Sequence, residues 1–191
     1  MNTTLIEKIK NDLKESQIDL KIAILFIPIA FGSFLFHEFG HWTFGELLGN
    51  EMTINLNNSA PKSGAFINES SALWSAIGGP FFTIIQGLIF LIIIWKTKSI
   101  IAYSIAFFAM FIRFFSIIFG GINLQDEARI SIMLGLNKYL IPAIVLSILL
   151  LIFWRCNQIM KFNLKTTGYY IVLGVATILI VIGVNELMMI N

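Results

Sequence analysis

The chain has 191 residues, 57% of them hydrophobic and 13% charged, with a formal net charge of +2. Ordinary globular chains carry roughly a quarter charged residues, so this composition, with a mean hydropathy of +0.84, lacks the polar surface to coat a water-soluble core, and lipid is the expected solvent for most of it. No basic run is long enough to track phosphates, which argues against a nucleic-acid partner, and the single cysteine, Cys156, excludes an internal disulfide framework.

In residues 1–21, Leu5, Ile6, Ile9 and Leu13 recur at helical spacing with Lys8, Lys10 and Lys14 among them. That is the pattern of an amphipathic helix on a membrane surface, with a partly disordered tail as the alternative. A polar, lysine-bearing start followed by so long an apolar stretch argues against a cleaved signal peptide. A hydrocarbon core of about 30 Å takes about 20 helical residues to cross. Five stretches qualify, at 22–48, 71–95, 99–119, 139–154 and 169–189. Helical periodicity runs back from the fourth through Leu136, Met133 and Ile130, so that span is expected to start early and enter at an angle. In lipid only helices satisfy their own backbone segment by segment, so the expected fold is an all-α integral membrane protein with about five transmembrane helices. After the first span, Met52, Ile54 and Leu56 alternate with Thr53 and Asn55. Residues 57–64 are rich in turn formers, and Ala65-Phe66-Ile67 is the expected return strand of a small β-hairpin or loop.

The chain has two histidines, four residues apart in His37-Glu38-Phe39-Gly40-His41. On a helix that spacing puts both imidazoles on one face, where they can reach one metal ion. Zinc takes imidazole nitrogen readily, and a catalytic site keeps a position open for water. Glu38 stands where a carboxylate can accept a proton from that water. A pair of hydrogen-bonded core histidines or of haem ligands would explain neither the glutamate nor three ionisable groups inside an apolar span, where such groups are costly and usually functional.

Phe36-His37-Glu38-Phe39-Gly40-His41-Trp42 resembles the first catalytic helix of the site-2 proteases, intramembrane zinc metalloproteases found widely in bacteria. Gly78-Gly79-Pro80, early in the second span, is similar to that family's Gly-Pro element, whose physical use would be close helix approach and a proline kink. The family's third ligand is an aspartate preceded by an asparagine and a proline-rich turn and followed by glycine. Asn123 and Asp126 match in type, while the prolines and the glycine are absent. Asp126 is therefore the candidate third ligand and Glu127 its rival, and Asp126 could instead be a plain helix N-cap. Glu46 projects away from His37 and His41 on the helix. Arg113, inside the third span, either pairs with a carboxylate such as Glu127 or helps stabilise an oxyanion.

The resemblance implies a three-helix catalytic core over 22–136, preceded by the amphipathic segment 1–21 and followed by two additional transmembrane helices in 137–191. It implies one Zn2+ per chain, held by His37, His41 and Asp126, with Glu38 as general base. The activity implied is hydrolysis of peptide bonds in or beside transmembrane segments of a membrane-protein substrate, and the hairpin edge could hold an unwound substrate in extended form. A non-proteolytic metal-binding membrane protein and a haem or metal carrier are the rival classes. Glu38 argues against the first, and the lack of further histidines argues against a multi-haem form of the second. The expected location is a cell membrane, crossed several times, with oligomeric state left open. With the amino terminus in the cytoplasm, the inner face carries nine lysines and arginines and the outer face three, namely Lys62, Arg129 and Lys138. The family resemblance implies the opposite, a metal site nearer the cytoplasm.

Overall fold

A computed structural model of the protein describes residues 4–190; the ends of the predicted segments at residues 1–3 and 191 lie outside the described residues. The chain is all-α apart from one hairpin. It runs through α1 (Leu5–Glu15), α2 (Leu20–Leu47), β1 (Met52–Asn55), β2 (Asn58–Pro61), α3 (Glu69–Thr97), α4 (Ile100–Phe119), a 3₁₀ turn at Ile122–Leu124, α5 (Asp126–Met133), α6 (Leu140–Met160) and α7 (Leu164–Ile190). By length and composition α2, α3, α4, α6 and α7 can each cross a membrane, which is consistent with a multi-pass membrane protein.

Short polar residues set the helix starts. Asp19 accepts from the Ile22 N–H at 2.8 Å, Asn68 from that of Ser71 at 2.8 Å and Ser99 from that of Ala102 at 3.3 Å, each relieving an orphan donor of a first turn. α4 is the most enclosed of the five long helices. Its first half joins α2 and α7 in an aromatic cluster in which Phe26 lies 5.0 Å from Phe108 and Tyr103 lies 4.9 Å from Tyr170, ring centre to ring centre. The opposite half of the bundle carries the buried His37, Glu38, His41, Arg113 and Glu127.

Two sequence expectations are corrected. The return strand is Asn58–Pro61 rather than residues 65–67, paired antiparallel with Met52 opposite Pro61 and Asn55 opposite Asn58. The turn is then only Leu56-Asn57, and Leu56 tucks into the core while Ile54 stays exposed. Nor does the fourth span continue back through residue 130. α5 ends at Met133, and Gly135, at φ 67°, takes a left-handed conformation that favours glycine. The Leu136 N–H reaches back to the Ser131 carbonyl at 2.8 Å and the Gly135 N–H to that of Ile132 at 3.0 Å, closing the helix before a side-chain pattern that would otherwise have carried on. α6 compensates by running on to Met160, with Cys156 buried near its end.

α1 is helical, with Leu5 and Ile6 exposed. Its buried side is polar: Asp12 pairs with Lys165 and accepts from the Tyr169 hydroxyl at 3.1 Å, while Ser16 donates to Thr166 at 3.1 Å. These contacts tie α1 to the start of α7. The Lys165 ammonium, with the Tyr169 hydroxyl assisting, holds the Asp12 carboxyl below its usual range. A depressed carboxyl stabilises the docked form above the ordinary aspartate pKa, and that contribution fades as pH falls through the depressed value. Asp12→Asn should therefore speed amide hydrogen exchange across α1 at neutral pH, whereas wild type should show the same loosening only below about pH 4. Equal exchange in both proteins at neutral pH would show that the tether holds nothing.

Candidate metal centre

The site is built where α2 crosses α3. A β-carbon on Gly40 would land on the Gly78 carbonyl, and one on Gly78 would land on the Gly40 carbonyl. The backbones touch at this point, and a methyl group on either side would force them apart at a cost on the order of 1–3 kcal/mol. α3 runs through Pro80 without interruption. Gly79 has a separate task, because a β-carbon there would fall on the His41 ring and within 2.7 Å of His37 Cε1. Its missing side chain is the space the two imidazoles occupy.

Both imidazoles are oriented from behind by α3. His41 Nδ1 lies 2.7 Å from the Ser75 carbonyl oxygen, which can only accept, so this nitrogen carries the proton. His37 Nδ1 lies 2.9 Å from Thr83 Oγ1, whose own proton is given to the Gly79 carbonyl at 3.1 Å, so His37 is also the donor there. Each ring therefore presents an unprotonated Nε2 to the front. The two Nε2 atoms are 3.1 Å apart, and Asp126 Oδ2 stands 3.1 Å from that of His37 and 3.3 Å from that of His41. Ionised, the Asp126 carboxylate offers only acceptor oxygens to the pair. Three acceptors thus face one another, and the edge between His41 and Asp126 has no proton donor of its own. A cation resolves that arrangement. Tetrahedral zinc with ligands at about 2.0–2.1 Å places its donor atoms about 3.3 Å apart, close to the edges of this triangle.

The buried Glu38 belongs to the same cluster: ligand atoms of His37, Glu38 and His41 all lie within 4.8 Å of one another. The triangle through Asp126 is the tighter set. Arg113 donates to His37 Nε2 at 3.1 Å, to Gln125 Oε1 at 3.0 Å and to Glu127 Oε2 at 2.8 Å, so Glu127 is an ion-pair partner of Arg113. Asp126 is the first residue of α5 and Gln125 its N-cap, which corrects the N-cap alternative for Asp126. Asn123 is not brought to the centre; it is exposed and accepts from Lys138 at 2.9 Å. Glu46 points elsewhere and accepts the Met52 N–H at 2.8 Å.

Ser75, Thr83 and Gln125 join the cluster without belonging to the His-Glu-x-x-His or Gly-Gly-Pro elements. The signal available was the spacing of Ser75, Gly79 and Thr83, every fourth residue along one face of an otherwise apolar helix. A cavity of about 540 Å³ opens in front of the cluster, roofed by Asn57, Asn58 and Ser59 of the hairpin and walled by Ile178 and Ile182 of α7.

No protein-family model, curated protein or solved structure matches the chain. The buried His-Glu-x-x-His cluster within long apolar helices is consistent with a metal site in a multi-pass membrane protein and with an intramembrane metalloprotease superfamily.

Hydrogen-bond partners behind metal-ligating histidines typically matter about 10–100-fold in metal affinity. Thr83→Val keeps the shape and removes the acceptor for His37 Nδ1–H. Zinc affinity, read by chelator competition on the purified protein, should fall within that range. An unchanged affinity would remove Thr83 from the centre.

Proposed function

We infer that the protein is an intramembrane zinc metalloprotease of the site-2 type, cutting peptide bonds in or beside transmembrane segments of substrate proteins. The observation that carries this reading is the convergence of His37 Nε2, His41 Nε2 and Asp126 Oδ2 on one point, 3.1–3.3 Å apart, with the Glu38 carboxylate beside it. His37, His41 and Asp126 would hold the ion. Zinc, when bound, supplies Lewis-acid polarisation of a scissile carbonyl and a more acidic water. The Glu38 carboxylate would serve as the general base, accepting a proton from the attacking water and passing it to the departing amine nitrogen. Thr83 and the Ser75 carbonyl keep both imidazoles in the tautomer that leaves Nε2 bare.

The hairpin supports a peptide substrate. Lys62 donates its N–H to the Glu51 carbonyl at 2.8 Å, and with the observed register this turns the amide groups of Asn58 and Ala60 toward β1 and those of Ser59 away from it. Ser59 also lines the cavity. An extended segment could add to that edge by main-chain hydrogen bonds, which suits a transmembrane helix that has been locally unwound.

Glu38→Gln keeps the side-chain shape but cannot accept the proton. It should abolish cleavage of a co-expressed membrane substrate while wild-type zinc content is retained, whereas His37→Ala and His41→Ala should lose both. Near-normal cleavage by Glu38→Gln would overturn the general-base assignment. Zinc retention by a wild-type protein that cleaves none of a broad panel of membrane substrates would favour a metal-binding role without proteolysis.

The count of positive charges supports an amino terminus in the cytoplasm and a metal centre toward the outer face. Ser63, Thr97 and Asn137 are all exposed. In a Cys156→Ser background, cysteines at Ser63 and Asn137 should react with a membrane-impermeant reagent on intact cells and one at Thr97 should not. The reverse pattern would invert the topology and leave the metal chemistry as it stands.

A further inference from the structure

Arg113 is a fully charged side chain buried inside a helix of membrane-spanning length, and both of its terminal nitrogens are committed to one short stretch of chain and one histidine. The residues it grips, Gln125 and Glu127, flank Asp126 on either side. Gln125 is extended and Glu127 helical, so the chain turns into α5 between them. Glu127 is completely buried, yet its second carboxylate oxygen and Arg113 Nε have no hydrogen-bond partner among the described residues.

An incompletely satisfied buried ion pair is a poor device for stability, since well-packed apolar residues of similar volume are often as good or better. Holding a segment in one place is a different task, and here there is a segment to hold. α5 has eight residues, too few to persist by local hydrogen bonding alone. Its far end is fixed by Ser131, whose hydroxyl donates to the Glu127 carbonyl at 3.0 Å and accepts the Ile141 N–H at 3.2 Å. Its near end follows α4 through the glycine pair Gly120-Gly121, with Gly121 at φ 83°, so the connection does little to aim it. The Gln125 side chain adds one tie back, from its amide to the Gly121 carbonyl at 3.2 Å.

We propose that the buried Arg113–Glu127 pair, seconded by Gln125, is the clamp that sets Asp126 against His37 and His41. Glu127 and Gln125 act on the metal centre through Asp126, the ligand between them; Arg113, which also donates to His37 Nε2 at 3.1 Å and lies 3.8 Å from Asp126 Oδ2, is a positioning residue for both ligands. The inference rests on the metal-site reading above, with Asp126 as third ligand.

The test uses the full chain purified in lipid nanodiscs and two readouts, zinc affinity by chelator competition and amide exchange over residues 120–128 in chelator-stripped protein. Arg113→Met/Glu127→Met removes both charges together and so leaves neither stranded. Its thermal midpoint should match or exceed that of wild type, its exchange over 120–128 should rise at least tenfold, and its zinc affinity should fall by about 10–100-fold. A purely structural pair would move the midpoint and leave a stably folded variant with normal zinc affinity. Glu127→Gln, which keeps an acceptor for Arg113 but no charge, should give a smaller loss in the same direction, and it carries the test if the double variant fails to fold. Unchanged exchange over 120–128 together with unchanged zinc affinity in either folded variant would overturn the clamp. Asp126→Ala separates the two ideas: wild-type zinc affinity there would remove Asp126 as a ligand, while the exchange data would still report on the clamp.

Discussion

Two backbone carbonyls, one on Gly40 and one on Gly78, stand where the partner helix would carry a β-carbon. That contact fixes the separation of α2 and α3 more tightly than any pair of side chains could. Everything in the metal centre is measured from it. Ser75 and Thr83 lie on α3 on either side of the crossing, at the right reach to hold the backs of His41 and His37, and Gly79 leaves the gap into which both rings fit. In a bilayer there is no general hydrophobic drive to press helices together, so close approach has to come from small residues and from hydrogen bonds across the gap. The Ser33–Gln86 hydrogen bond at 2.8 Å, from α3 back to α2 further along, is of that kind.

The bundle divides its work by depth. The end where α2, α4 and α7 begin is dominated by aromatic packing, and its buried carboxylate among the described residues, Asp12, is paired with Lys165. The other end gathers His37, Glu38, His41, Arg113 and Glu127 in a buried set bordered by Asp126. Charged groups at membrane depth are tolerated when each finds an opposite charge or a strong hydrogen-bond partner, and here nearly every member has one. The cost of assembling them is carried by a core elsewhere in the same helices, so the polar end need not be the stable end.

The spans and the metal motif were legible in the sequence because each rests on a strong local rule: length and apolarity for the helices, a spacing of four for the histidines. Asp126 could be nominated from residue type but not placed, because its position depends on Arg113, thirteen residues earlier on another helix. The hairpin's return strand was missed because Asn58–Pro61 has no apolar alternation and its prolyl member cannot donate; pairing with β1, rather than intrinsic preference, makes it a strand. The break before α6 was missed for the opposite reason. Apolar residues keep helical spacing across Gly135, and the cap that stops the helix is a backbone event with a single glycine as its trace. Thr83 and Ser75 were overlooked since a hydroxyl that bonds to its own helix, as that of Thr83 does to Gly79, gives no sign that it also meets His37, and since Ser75 holds His41 through its backbone carbonyl.

Gly79 has a consequence for how the gene can vary. Any single-nucleotide change to a glycine codon is silent, introduces a stop, or adds a residue with a β-carbon. At most positions in a lipid-embedded helix alanine is a harmless neighbour of glycine, and a lineage can drift through it. At position 79 the first step of any such drift puts a methyl group into the imidazoles, leaving every ligand present in the sequence but unable to occupy its place. A descendant that had lost the chemistry could therefore keep an intact His-Glu-x-x-His signature, and the residue that betrayed the loss would be a small one on the next helix.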